Sequence, residues 1–173
     1  PWNRWREVDA LESHTIIQVR DNLYRFTVDQ GRAAHSALFL VTPEGIILTD
    51  PIRTSAALWL RDELKRRFNV PVKYVIYSHG HFDHIGGGQV YQQDGAVVVA
   101  HENAVEAIVG ERLPTAVPDK TFKDTLTIEL GGETVRLTHV AASHSNSMII
   151  IQFVKQRAIS AADFRPVGAL PYN

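Results

Sequence analysis

The chain has no cysteine among its 173 residues. Disulfide frameworks, thiol nucleophiles and cysteine–zinc sites are therefore excluded. It also lacks an excess of either charge: 18 Lys and Arg stand against 19 Asp and Glu, a net charge of −1, and the longest basic run is Lys65-Arg66-Arg67. No nucleic-acid partner is expected of such a balance. No uncharged apolar stretch approaches the roughly 20 residues that a membrane-spanning helix needs, so no membrane contact is expected. No signal peptide is visible, and a chain opening on Pro1 reads as trimmed. The compartment therefore stays open between the cytoplasm and a periplasmic or secreted location. What is present is a globular composition, 45% apolar and 21% charged, with a mean hydropathy of −0.12. The length suits one domain that buries its own core without a disulfide or a structural metal.

The first ten residues, with Trp2 and Trp5 among charges, read as an arm. Residues 15–19 and 23–28 flank Arg20-Asp21-Asn22 as a hairpin. Residues 37–42 and 46–50 flank a second turn, Pro43-Glu44-Gly45; both strands are nearly all apolar, which implies burial on two faces. From 54 to 68 the period changes: Ala57, Leu60, Leu64 and Phe68 recur at helical spacing, with charges opposite. Lys65-Arg66-Arg67 reads as its solvated end, where cations suit the dipole. Residues 72–77 are a β-rich run leading into Ser78-His79. A Gly86-Gly87-Gly88 turn, a short helix, a buried strand over 96–100 and a helix over 102–109 come next, then a loop over 111–120. Residues 126–137 alternate about Gly131-Gly132 as a hairpin, and 148–153 and 158–161 read as strands. The pattern is one α/β or α+β domain, hairpins first and then alternating strand and helix.

The chemistry is concentrated in His79-Gly80-His81-Phe82-Asp83-His84. This run follows a buried strand, at the edge where α/β sheets bind ligands. Neutral imidazoles and carboxylates bind zinc and similar ions at about 2.0–2.2 Å. A spacing of two lets His79 and His81 turn to one ion, and adjacent Asp83 and His84 can turn to a second beside it. Phe82 is expected to face away and pack. The glycines that follow would let the backbone turn beneath the metals.

This pattern resembles the metallo-β-lactamase superfamily, in motif order as well as in the central motif. Asp50, ending an apolar strand before Pro51, matches that family's first acidic position, a group supporting the metal loop. His144, in Ser143-His144-Ser145, matches the third histidine of the first metal site. Asp163, in Ala161-Ala162-Asp163, matches the carboxylate between the two metals. The resemblance spans residues 36 to 163 and implies a metallo-β-lactamase-like αββα sandwich with the site at one edge between two sheets. It implies that His79, His81 and His144 hold one zinc ion and that Asp83 and His84 hold a second, with Asp163 between them. A zinc-bound hydroxide, available near neutral pH, would then attack a carbonyl, phosphoryl or sulfuryl centre of a small-molecule substrate such as a β-lactam, lactone, thioester or other ester. Asp83 is the candidate catalytic residue, orienting water or moving a proton.

Members of that family carry one more histidine downstream of the bridging aspartate. The ten residues after Asp163 contain none, and Ala162 stands where glycine is usual. Residues 1–173 are therefore expected to be a single-domain fragment whose C-terminal strands and helices are missing and whose second zinc site is incomplete. The sheet face so uncovered is expected to be apolar, and a homodimer or exchange of elements between copies would cover it. Iron or manganese are alternatives to zinc. A two-histidine, one-carboxylate iron oxygenase site built from His79, His144 and Asp163 and a fragment without turnover are the competing readings. None of His14, His35, His101 or His139 stands in the order that would replace the missing ligand; His35, near the start of a strand that could reach the site, is a candidate for a substrate role, His139 reads as a packed or surface residue, and His14 and His101 look ordinary. Tyr172 reads as part of a tail.

Overall fold

The computed structural model describes residues 12–31 and 34–164; the expected arm and Tyr172 lie outside them. Two sheets pack face to face. The larger has seven strands in sequence order: β1 (Ser13–Arg20), β2 (Leu23–Asp29), β3 (Ala34–Thr42), β4 (Gly45–Thr49), β5 (Val72–Ile76), β6 (Val97–His101) and β7 (Lys120–Phe122). Neighbours from β1 to β4 run antiparallel, and those from β4 to β7 run parallel. The smaller sheet is antiparallel and holds β8 (Thr125–Leu130), β9 (Glu133–His139), β10 (Ile149–Phe153) and β11 (Ala158–Ser160), in the order β11-β10-β9-β8. The helices are α1 (Thr54–Phe68), α2 (Phe82–Ile85), α3 (Gly88–Gln93) and α4 (Glu102–Gly110).

Period and burial agree. Every residue of β4 is buried, because Ile46 and Leu48 pack under the helices while Ile47 points into the inter-sheet core. Helix α1 lays Ala56, Ala57, Leu60 and Leu64 on that sheet, and Asn69 stops it in a left-handed conformation (φ 52°). Its basic last turn is exposed, with Arg66 and Arg67 both paired to Glu63. On the smaller sheet Ile128, Val135, Leu137, Ile149, Ile151 and Phe153 face inward. The layers are those of an αββα sandwich, with the second helical layer not represented among the described residues.

The outward face of the smaller sheet differs from the sequence expectation. It presents Thr125, Thr127, Glu129, Thr134, Arg136, Thr138 and Gln152, with Ile150 and Ile159 the apolar exceptions. Alternation of buried apolar and outward, mostly polar residues is the pattern of an antiparallel sheet that packs one face on the core.

The Gly86-Gly87-Gly88 run also acts differently from expectation. Gly86 and Gly87 have ordinary negative φ (−57° and −94°), so the run is not a conformational hinge. Its glycines are required by close approach: a Cβ on Gly87 would stand 2.5 Å from that of Ala57, and one on Gly88 would overlap the Tyr77 hydroxyl. That hydroxyl is anchored on the Ala116 carbonyl at 3.1 Å and cannot retreat cheaply. Gly88→Ala is therefore expected to destabilise the fold by about 1–3 kcal/mol, read as a lowered midpoint in urea or thermal unfolding.

Candidate metal centre

Six segments end at one edge of the sandwich. Asp50 follows β4, Ser78 and His79 follow β5, His101 closes β6, and His144 lies between β9 and β10. Asp163 follows β11, and His35 stands near the start of β3, which runs antiparallel to β4. Direct bonds close the two sheets on each other here. The Ile149 N–H donates to the Ser78 carbonyl at 2.9 Å, and the Gly80 N–H donates to Ser147 Oγ at 3.0 Å. The motif itself opens a helical turn: His81 is the extended residue before α2, and Asp83 and His84 lie within it. Asp50 (φ 40°) and Asp163 (φ 54°) adopt left-handed backbone, which short polar side chains tolerate and which turns their carboxylates into the cluster. Buried Ile52 does so too (φ 62°). A β-branched residue there stores about 1–3 kcal/mol of strain, held by bonds from the Ile52 N–H to the His84 carbonyl (2.7 Å) and from the Gly87 N–H to the Ile52 carbonyl (3.1 Å).

Two groups of donors converge. His79, His81 and His144 present ligand atoms within 4.8 Å of one another, and so do His79, His84 and Asp163. His81 Nδ1 and His144 Nε2 are 2.9 Å apart. Asp163 Oδ2 lies 3.1 Å from His84 Nε2, 3.4 Å from His144 Nε2 and 3.8 Å from His79 Nε2. Asp83 is in neither group: its carboxylate is 57% exposed, 3.8 Å from His84 Nε2 and 3.3 Å from His35 Nε2. Phe82, expected to face away and pack, is 41% exposed at the rim, with its ring edge close to Gly86.

Supporting contacts hold the rings. Asp50 is buried, accepts from the Ser78 N–H at 2.7 Å, and places its other oxygen 3.4 Å from His84 Nδ1. Ser78 Oγ meets His79 Nδ1 at 2.9 Å. Each bond occupies the far nitrogen of a ring and leaves Nε2 facing the cluster, as outer partners of metal-bound histidines do. His79 is fully buried, and its Nε2 has no hydrogen-bond partner. Burial, reinforced by neighbouring His84 and His81, pushes its pKa down to about 4, so its lone pair is free at neutral pH. A buried polar atom left unpaired is rare and costly. The donor set fits a cation.

Sequence reasoning passed over the support of the His144 loop. The His101 and His139 rings stack at 3.7 Å, and burial, with His139 alongside, lowers the His101 pKa. His139 Nε2 and Asn103 Nδ2 both donate to the Asn146 carbonyl, at 3.0 and 2.9 Å. The polar run Ser143-His144-Ser145-Asn146-Ser147 was the available signal, but its partners are distant in sequence. His14, stacked on Phe26 and Trp59, plays no part at this edge.

A seven-stranded mixed sheet packed on a second sheet, with histidines and aspartates gathered where the strands end, describes a metallohydrolase-type sandwich. The family model for the metallo-beta-lactamase superfamily matches residues 31–172. The chain belongs to that superfamily, a family of hydrolases. A type 2 metallo-β-lactamase of Elizabethkingia meningoseptica is 23% identical over 166 residues, covering 90% of this chain and 66% of the relative. An alkyl/aryl-sulfatase of Saccharomyces cerevisiae is 26% identical, over 92% of this chain and 27% of its own. The metallo-β-lactamase of Pontibacter korlensis superposes with a TM-score of 0.80 at 20% identity, covering 91% of this chain and 75% of that one. The chain thus spans under two thirds of the length of both curated relatives.

Burial opposes a charge on His84, but its hydrogen bonds to Asp163 and Asp50, with their negative charges, outweigh it and push the pKa from 6.5 up to about 10. The hydrogen bond to His84 pulls Asp163 down from 3.8 to about 2, against burial. In metal-free protein the His84 contribution to stability is full below pH 6.5 and lost as the pH rises through 10. That of Asp163 is full above pH 3.8 and lost as the pH falls through 2. Unfolding midpoints of chelator-treated protein should accordingly fall between pH 6.5 and 10, and His84→Gln should flatten that decline. Separately, Ser78→Ala, which removes the partner of His79 Nδ1, should weaken cation affinity by about tenfold or more, the scale of an outer-partner loss, in a zinc titration against a competing chelator.

Proposed function

We propose that this chain is a zinc-dependent hydrolase that cleaves a small molecule at a carbonyl, phosphoryl or sulfuryl centre. The observation that carries the reading is the buried, unpartnered Nε2 of His79 at the corner shared by the two donor groups. His79, His81 and His144 would hold one cation; Asp83 and His84 would turn to a second, with Asp163 between the two. Bound there, the cations supply acidity to water and polarise the oxygen of the scissile group.

The chain's own residues set up that chemistry. Asp50 and Ser78 keep two imidazoles aimed inward. The Asp163 carboxylate offsets part of the positive charge gathered among the rings. Asp83, the more exposed of the two carboxylates, orients water and carries a proton away at its Oδ2. The relatives named above are a β-lactamase and a sulfatase, so amide-like and ester-like bonds both belong in the search, and the fold alone does not choose between them.

The test is zinc content and turnover together. Zinc-loaded protein is expected to hydrolyse at least one of a cephalosporin, a lactone, a thioester, a phosphodiester and an aryl sulfate. His81→Ala is expected to lose the more tightly held zinc with little change in the circular dichroism spectrum. Unchanged metal content in that variant would overturn the reading. So would stoichiometric iron with oxygen uptake, since His79, His84 and Asp163 also make up a two-histidine, one-carboxylate set.

A further inference from the structure

Resting on the metal-centre reading above, we propose that His35 is a ligand of the second cation, joining Asp83, His84 and Asp163 in a two-histidine, two-carboxylate set. The four donor atoms follow one another around the rim. His35 Nε2 lies 3.3 Å from Asp83 Oδ2, that oxygen lies 3.8 Å from His84 Nε2, and His84 Nε2 lies 3.1 Å from Asp163 Oδ2. Ligands at about 2.0–2.2 Å from a tetrahedral ion stand roughly 3.3–3.6 Å apart; the three consecutive spacings are of that size, and His35 and Asp83, which join neither compact group, close the remaining ones by side-chain rotation.

Each donor also has freedom or support suited to the role. Strand β3 pairs with β2 through His35↔Val28, so the His35 backbone is fixed while its side chain reaches across the mouth of the site. Among the described residues, Asp83 is the one side chain that His35 hydrogen-bonds. The His35 and His84 ring centroids are 6.0 Å apart, and His35 stands outside the two compact donor groups. The His35 side chain is 23% exposed and that of Asp83 57%, so both can rotate inward without disturbing the core. His84 is fixed from behind by Asp50 and gives the ion a rigid anchor. The alternative role for His35, holding Asp83 by a hydrogen bond alone, makes a different prediction.

The absence of cysteine from the chain makes the test direct. Cobalt(II) is titrated into the wild-type protein and into His35→Ala, His35→Gln and His35→Cys variants, with binding followed by equilibrium dialysis and visible absorption. The wild type is expected to take up two equivalents. His35→Ala and His35→Gln should keep the first and lose affinity for the second on the order of 100-fold, the upper range even for loss of an outer partner. His35→Cys should regain the second equivalent and display a thiolate-to-cobalt charge-transfer band, which no other residue of this chain can produce. If His35→Gln binds the second ion as tightly as the wild type, a hydrogen bond suffices and the assignment falls. If the wild type takes two equivalents and His35→Cys has no such band, His35 is not a ligand. Failure of the wild type to bind any cobalt would instead overturn the metal-centre reading itself.

Discussion

One buried imidazole nitrogen left without a protein partner, in a crowd of histidines where two sheets meet, is the constraint around which this structure is arranged. His79 is fully buried and its Nε2 has no partner, although Ser78 secures the other nitrogen. A polar atom left so costs about 1–3 kcal/mol. Folding supplies partial relief through Asp163, whose one oxygen stands within 3.8 Å of three ring nitrogens. Proton sharing does part of the rest: His84 is held charged between Asp50 and Asp163, while His79 is held neutral. Two rings 4.5 Å apart are thereby driven to opposite protonation states, a separation typical of sites built for chemistry.

The fold meets that constraint by ending its strands together. Parallel β4, β5 and β6 deliver Asp50, His79 and His101 to one edge, and the loops after β9 and β11 deliver His144 and Asp163 to the same edge from the facing sheet. The Ile149-to-Ser78 and Gly80-to-Ser147 bonds pin the two sheets there. The His101–His139 stack and the Asn146 carbonyl form a second clasp one layer away. Left-handed backbone at Asp50 and Asp163 shows that carboxylate direction is enforced at a conformational cost. The apolar interior between the sheets, with Ile47, Ile76, Val99, Leu137 and Ile151, is what makes that cost bearable.

Much of the architecture is legible along the chain because local periodicity and burial report the same thing. The helix over 54–68 and the hairpin across Gly131-Gly132 need only spacing to be read, since each packs one face on a nearby layer. Where local reading departs from the structure, the determinants are long-range. The glycines after the motif look like a flexible turn, yet they are small because Ala57 and Tyr77 come from elsewhere to press on them. Phe82, within the motif, reads as facing away from the ligands and packing, yet it is exposed at the rim. The outer face of the second sheet is polar once the register is known.

Sequence alone determined the donor chemistry: histidines and aspartates placed just past strand ends, in an order that marks the superfamily, with no thiol to compete. Which donors actually meet was decided only by the tertiary structure. It seats Asp163 against His84 across 79 positions, His144 against His81 across 63, and His35 against Asp83 across 48. No local pattern encodes such pairings, because they depend on how two sheets are clasped and on which way a side chain leaves a left-handed backbone.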